Sequence, residues 1–434
     1  MQQVGKPALR GPDVLLRNRS PSVGGSVRIR PVKTRHDHTP RRLDATCFAD
    51  ILARMQSVKG VDPRFAWLII ILACLLVVFA FYFTLSGISP APRTVTVTIS
   101  NVEPRRDVTG QIINAHRGCL QFFNGTFYLY GTAFGTNEDD FAKGMTFVVY
   151  SSPDLKNWTY VGKLLKDPPA GFYSRAFVVF NPKTRKYVAW YSWFPKLWDG
   201  QAGVAVSDTP TGPFVVVNPK ANLIAKDPGD GSLFVDDDGT GYYIYTAMDK
   251  VYELKVEQLT PDFLDTDGKL NNTGIANGVE APVLFRRGNI YYILSGPLCP
   301  DCPEGSELLV LASGSPLGPF TGMPPWNINK RNAENKSTNR PDTSAPGKAS
   351  TDHTYSVKRG DMHPNIPVQQ TWVLKLPADQ GANYIWIADR WGSAPDGVSA
   401  HDLQYWSPLH FLDNGQIVPL KEVPEWKISF ATQE

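Results

Sequence analysis

Cysteine is scarce in this chain, with five residues in 434, and that narrows the chemistry open to it. Cys47 and Cys74 precede or fall within a long apolar run, which leaves Cys119, Cys299 and Cys302 for the remainder. No further ligands stand near Cys299-Pro-Asp-Cys302 to complete a zinc site. The pair therefore reads as a local disulfide in an oxidising compartment, with Cys119 left as an odd buried thiol. A Ser/His/Asp order with a nucleophile elbow is missing, as is a glycine-rich phosphate loop between a strand and a helix, so serine hydrolases and nucleotide-dependent enzymes of those types are unsupported. Asp236-Asp237-Asp238 lacks the alternating oxygen ligands and closing Glu of an EF-hand and reads as a solvated turn. No cofactor and no metal site are expected.

Strong net charge is absent too: the sum is only +3. Residues 1 to 64 hold 13 Lys or Arg against 5 Asp or Glu, while the remainder holds 31 against 36. A uniform nucleic-acid-binding surface is thereby excluded. The basic segment is rich in Arg, Pro, Ser and Gly and poor in large apolar residues, so a disordered tail is expected over 1 to 64. Residues 65 to 85, FAWLIIILACLLVVFAFYFTL, carry no charge. Their 21 residues are long enough to cross roughly 30 Å of hydrocarbon as a helix. Arg54, Lys59 and Arg64 flank the N-terminal side, which by the positive-inside rule predicts a single-pass type II signal anchor with the C-terminal portion luminal or extracellular. Sequons at Asn124, Asn157, Asn271 and Asn335, all after this run, agree as glycosylation candidates. Residues 86 to 109 read as a stalk with Pro90, Pro92 and an alternating TVTVTIS strand at 94 to 100.

What the sequence does contain is a repeat. Five segments join a turn to an aromatic strand: GTFYLYGTAF from Gly125, RKYVAWYSWF from Arg185, GTGYYIYTAM from Gly239, GNIYYILSGP from Gly288 and GANYIWIADRW from Gly381. A second series, SSPDLKNWTYVG from Ser151, SDTPTGPFVVV from Ser207 and SGSPLGPFTG from Ser313, marks another strand. Units of about 50 residues built from short strands predict propeller blades, and five units predict an all-β, five-bladed β-propeller over residues 110 to 434. A sandwich fits the strand spacing as well, but the constant order of elements favours blades. Residues 323 to 362, rich in Asn, Lys, Ser, Thr, Pro and Gly, read as a surface insertion.

Two units open with a carboxylate. Asp230 precedes Ser232 to Val235, the Asp-Gly turn and the returning strand Tyr242 to Thr246; Glu280 holds the matching place before Ala281-Pro282-Val283-Leu284-Phe285. That design aims two acids at one point. Trp193, Trp198 and Trp391 are candidate platforms for the C–H face of a sugar. Arg390 is a candidate forked donor to hydroxyls.

Asn114-Ala115-His116-Arg117-Gly118, YSSPDLKNW, DGSLFVDDDG, VEAP and ADRW, in that order, resemble glycoside hydrolase family 43, most closely its exo-acting galactan 1,3-β-galactosidase branch. The resemblance covers about residues 110 to 430. It implies an inverting glycosidase acting on oligo- or polysaccharide, with Glu280 as general acid and Asp230 as the carboxylate that tunes the acid and positions the sugar. Such an acid must stay partly protonated near neutral pH, which burial and a second negative charge achieve. Where most members carry a first-blade Asp, this chain has INAHRGC, and VQQTWV nominates Gln369 as the group that orients water. His116, Arg175, Trp193, Arg390 and Trp391 complete the implied sugar contacts. Ser174 stands where the branch has a Glu, which keeps a second expectation alive: a carbohydrate-binding propeller without turnover. A Golgi glycosyltransferase, suggested by the tail, anchor and stalk layout, lacks a metal-binding D-x-D in a nucleotide-sugar context.

Overall fold

The structure, a computed structural model, describes Leu72, Leu75 and residues 93–135, 146–196, 199–248, 251–271, 273–298, 303–330, 355–356, 364–376 and 384–432. The chain divides into two units, Met1–Ser89 and Pro90–Glu434. In the first unit only Leu72 and Leu75 are described, both helical and exposed. Among the described residues no helix is long and apolar enough to cross a membrane. The span expected at 65 to 85 lies outside them apart from those two leucines. The tail at 1 to 64, Trp198, the Cys299 and Cys302 pair and the Asn335 sequon also lie outside the described residues.

The second unit is all-β. After β1 (Arg93–Ser100), the first antiparallel sheet is β2 (His116–Phe123), β3 (Thr126–Ala133), β4 (Thr146–Ser152) and β5 (Thr159–Lys163); a short β6 (Leu165–Lys166) follows. The second sheet is β7 (Phe172–Asn181), β8 (Lys186–Phe194), β9 (Gln201–Ser207) and β10 (Phe214–Asn218), which β6 joins in parallel. This sheet runs on from the first through the parallel bridge Gly118↔Ala176, making nine continuous strands. The third is β11 (Pro228–Val235), β12 (Gly241–Ala247), β13 (Glu253–Leu259) and β14 (Thr266–Leu270). Then come β15 (Ala276–Asn277) and the fourth sheet, β16 (Val279–Arg287), β17 (Ile290–Pro297), β18 (Leu309–Ser313) and β19 (Thr321–Asn327). A short β20 (Tyr355–Ser356) pairs in parallel with β15. The fifth sheet is β21 (Gln369–Lys375), β22 (Tyr384–Arg390) and β23 (Leu403–Leu409), and β24 (Glu425–Thr432) ends the chain.

The first strands of the five sheets neighbour one another in a closed circuit, β2 to β7 to β11 to β16 to β21 and back to β2. That is the layout of a propeller. Each of the five aromatic segments read from the sequence forms the second strand of its sheet, covered on both faces by neighbouring sheets. Second strands therefore read as unbroken apolar runs rather than alternating ones: all seven residues of β12, GYYIYTA, are buried. Outer strands see solvent, and β5 is exposed along most of its length. Local turn chemistry supports the hairpins, with Asn124 and Gly125 both in the left-handed region that a type I′ turn requires.

Four expectations change. The segment expected as a stalk contains β1, which pairs with β24 from Arg93↔Thr432 to Ser100↔Glu425. Val97, Ile99, Ile428 and Phe430 of this ribbon join the main core, and the Phe430 ring meets Phe127 edge-on at 4.9 Å. Asn101 fastens it to the fifth sheet, its side chain taking Trp406 N and donating to Trp406 O, both at 2.9 Å. The first part of the expected insertion is structured as well, because residues 323 to 327 belong to β19 and buried Asn329 donates to Ser306 O and Ile366 O. Third, Asn271, expected as an exposed glycan acceptor, is buried, with Oδ1 accepting Val256 N and Nδ2 donating to Thr273 O at 2.7 Å. Asn124 and Asn157 are exposed. Cys119 is the expected buried free thiol, pushed up to about 12 by burial.

Asp236 is not a solvated turn residue. Its carboxylate is buried, accepting from Tyr291 Oη and Arg286 Nη1, each at 2.6 Å, and so ties the third sheet to the fourth. Burial pushes its pKa up, but the Tyr291 hydroxyl and the Arg286 guanidinium outweigh it and hold the group below the ordinary value. Asp236→Asn should lower the unfolding free energy by about 2 kcal/mol at neutral pH. Because the folded pKa is depressed, that contribution is present above the unfolded value of about 3.9 and fades as pH falls through the folded one. Urea titrations of both proteins at neutral pH and at about pH 3 check this; a gap that persists undiminished in acid would mean that charge is not its source.

Candidate active site

The innermost strands share a local irregularity near their N-terminal ends. Register shifts fall between His116 and Cys119, Ser174 and Ala176, Pro228 and Gly231, Glu280 and Val283, and Gln370 and Trp372. A bulge inserts an extra residue and re-aims its neighbours. In three sheets the re-aimed position is a side-chain-bearing residue in the left-handed region: Arg117 at φ 52°, Arg175 at 54° and Ala281 at 53°. The polar residues nominated from the sequence therefore cluster at one end of five adjoining strands.

Asp230, the third residue of β11, keeps 23% of its side chain exposed and pairs through Oδ1 with Arg175 Nε at 2.7 Å. Arg175 is buried, and its Nη1 reaches Gln370 O at 3.4 Å, so one guanidinium links the second, third and fifth sheets. Glu280, the second residue of β16, is buried and accepts from Gln369 Nε2 at 2.5 Å. Gln369 Oε1 in turn accepts from Trp391 Nε1 at 2.9 Å. Gln370 donates to Ala281 O and to Leu294 O, which fixes the bulge that follows Glu280.

Arg117 brings the two carboxylates into one field. Burial lowers its pKa to about 10; Asp230 opposes that most strongly, Arg175 adds to it, and Asp389 and Glu280 oppose it. The guanidinium lies 5.1 Å from the Trp391 ring centroid and 5.2 Å from that of Phe134, and it donates to Ser174 Oγ at 3.4 Å. Asp389 anchors the first sheet to the fifth: Oδ2 accepts Arg117 N at 2.7 Å, and Oδ1 meets His116 Nδ1 at 3.0 Å.

The structure thus assembles Asp230, Glu280 and Gln369, with Arg175 and Trp391 holding them. His116 is fully buried between Asp389 and Ala400 O, so it orders the site rather than facing a ligand. Trp193 is buried as well, its Nε1 donating to Pro219 O and its ring stacked on Tyr173, which makes it core. Arg390 is occupied by Glu422 and the Tyr405 ring. Ser174 is buried at the mouth of the second-sheet bulge beside Arg117. Sequence reasoning missed Arg117 and Asp389. The signal was a charged residue inside a strand that otherwise reads as buried: Arg117 in NAHRG and Asp389 in YIWIADR.

Two carboxyls stand at equivalent points of adjoining sheets, one buried against an amide donor and one partly open beside a guanidinium, an arrangement with the group types that acid/base chemistry at a glycosidic bond requires. The sequence of residues 120–350 matches the model for glycosyl hydrolases family 43. The chain belongs to that family, whose members are glycosidases that hydrolyse O-glycosyl bonds. An arabinoxylan arabinofuranohydrolase of Bacillus subtilis (strain 168) is 27% identical over 304 residues, covering 57% of this chain and 56% of that protein. The chain spans 36% of a second such enzyme, from Paenibacillus polymyxa, at 27% identity over 240 residues and 46% of this chain. Among solved structures, a GH43 β-1,3-galactosidase with galactodeoxynojirimycin shares 24% identity at a TM-score of 0.59, covering 76% of this chain and 99% of that one. An exo-β-1,3-galactanase from Clostridium thermocellum shares 22% at 0.58, covering 74% and 64%. These likenesses show a common fold.

Arg175→Met would remove one of the two guanidinium groups beside Asp230, the one that it contacts at 2.7 Å. Breaking a buried pair costs about 3 kcal/mol or more, and the exposure of Asp230 reduces this to about 2 kcal/mol. Denaturant midpoints at constant m measure it. A variant as stable as the parent would show that Asp230 holds its place unaided.

Proposed function

We propose that residues 90 to 434 hydrolyse glycosidic bonds with inversion, removing galactose from the ends of β-1,3-linked galactan-like chains. The observation that carries the reading is the placement of Asp230 and Glu280 at matching bulges of adjoining innermost strands, within the field of one guanidinium. Membership of family 43 supports the reaction class. The galactose preference draws on the β-1,3-galactosidase and exo-galactanases whose fold the chain shares.

In this mechanism Glu280 donates its proton to the leaving oxygen. Its burial excludes competing water, and the Gln369 amide donates to Oε1 and fixes the carboxyl. Asp230, partly open, accepts hydrogen bonds from sugar hydroxyls and stabilises the positive charge developing on the ring. Both Asp389 oxygens are already committed to the first sheet, so it is not the base. Gln369, with Nε2 on Glu280 and Oε1 on Trp391, holds the acid in place in this arrangement rather than orienting the water, which must attack from the opposite face of the sugar. We further propose that the tail and the run 65 to 85 make this a type II membrane protein with the site on the luminal or extracellular side.

A binding propeller without turnover is the second reading, favoured by a first-sheet bulge that presents His116 and Arg117 rather than a carboxylate.

The full chain should release galactose from β-1,3-galactan and from an aryl β-galactoside, and Glu280→Gln should slow this by roughly 10²- to 10⁴-fold. Full activity in that variant removes Glu280 as the acid, whereas galactan binding without release by the parent establishes the second reading. Gln369→Ala removes a donor to the charged form of Glu280, so the alkaline limb of kcat/KM should move to higher pH; a limb that moves down contradicts the contact.

A further inference from the structure

The innermost strands have a second end, and a half-open cavity lies there. Some 260 Å³ of space lies among the C-terminal ends of all five strands, β2, β7, β11, β16 and β21. Asp230 and Val235 mark the two ends of β11, five residues apart, which places this cavity roughly 15 Å along the strands from the carboxylates. It is a separate chamber on the same ring.

Its lining is apolar at the sides and charged at the rim. Phe123, Phe180, Phe234 and Phe285 come from four different sheets. Each ring is backed by a tyrosine: Phe123 and Phe180 by Tyr187 at 5.2 and 5.1 Å, Phe234 by Tyr291 at 6.1 Å and Phe285 by Tyr292 at 5.0 Å. That bracing fixes their orientation without a ligand. Phe180 is 37% exposed, so part of its ring is open to solvent at the cavity. Arg286 and Lys375 stand at the rim with Asp237, at 3.7 and 3.6 Å, and Arg286 is pinned from behind by buried Asp236. Arg286 and Lys375 both face Asp237 at the mouth, and buried Asp236 offsets Arg286 from behind, so the local charge sums to zero while the rim offers both donors and acceptors.

We propose that this chamber is a glycan-binding subsite that takes one neutral pyranose unit. Three features select the occupant. The volume falls just below the roughly 300–1,000 Å³ of drug-sized ligands, which suits a single ring. Flat phenyl faces match the C–H side of a pyranose. The mixed rim satisfies hydroxyls, each at once donor and acceptor. Such a subsite would hold one part of a polysaccharide while the opposite end of the ring engages a chain terminus. The proposal does not depend on hydrolysis.

The test uses the full chain carrying Glu280→Gln and labelled with 5-fluorotryptophan, because Trp372 lines the chamber and Trp391 belongs to the other end. Trp372→Phe assigns the resonance. Titration with methyl β-D-galactopyranoside should shift the Trp372 signal saturably, and Phe180→Ala or Lys375→Ala should weaken that response about five- to tenfold. In a parent that retains Glu280, the same two substitutions should leave hydrolysis unchanged. A Trp372 signal that stays still while Trp391 responds overturns the proposal, as does a shift that glycerol reproduces equally. A shift in a protein that hydrolyses nothing upholds the subsite and sinks only the hydrolase reading.

Discussion

The bulge at the head of each innermost strand is the constraint on which the rest depends. A regular strand would send alternate side chains between neighbouring sheets, where a carboxylate or guanidinium could not be tolerated without full pairing. The irregularities turn Arg117, Arg175, Asp230 and Glu280 out of that stack and toward one another. Left-handed conformations at Arg117, Arg175 and Ala281 cost energy in residues with a Cβ. Gln370, bonding Ala281 O and Leu294 O, shows how surrounding structure holds one of them in place.

Once brought together, the charged groups are supported by a shell that touches no solvent. Trp391 orders Gln369, Gln369 orders Glu280, and Asp389 with His116 orders Arg117. Removing water from such a group strengthens every interaction inside it and makes an unpaired member expensive. This explains why residues that look like sugar contacts in the sequence, His116 and Trp391 above all, are buried supports. It also explains why the ring must be closed firmly. The β1 and β24 ribbon, with Asn101 clasping Trp406, draws the two ends of the unit together and keeps the first and fifth sheets in contact through Asp389.

Legibility followed the range of the physics involved. The five second strands were plain from GTFYLYG, RKYVAWY, GTGYYIY, GNIYYIL and GANYIWI, because an aromatic run after a turn is a local property. Asp230 and Glu280 were legible for the same reason, each standing at a fixed offset before a hairpin. The role of Asp236 was not: an acid beside Asp-Gly looks like any turn residue until Tyr291 and Arg286 arrive from the next sheet. The strand at 94 to 100 was legible from its alternation, but its pairing was hidden because the partner lies at the far end of the chain, and the burial of Asn271 was hidden because it is set by the backbone of β13.

By itself, then, the sequence determined the repeat, the strand order within each sheet and the two acids that open adjoining sheets, since all of these arise from side-chain periodicity and turn preferences within a few residues. Tertiary structure alone decided which polar residues face the axis and which brace them, because His116 and Asp389 meet across 273 residues. The same holds for the second chamber, whose four phenylalanines come from four sheets and become neighbours only when the ring closes.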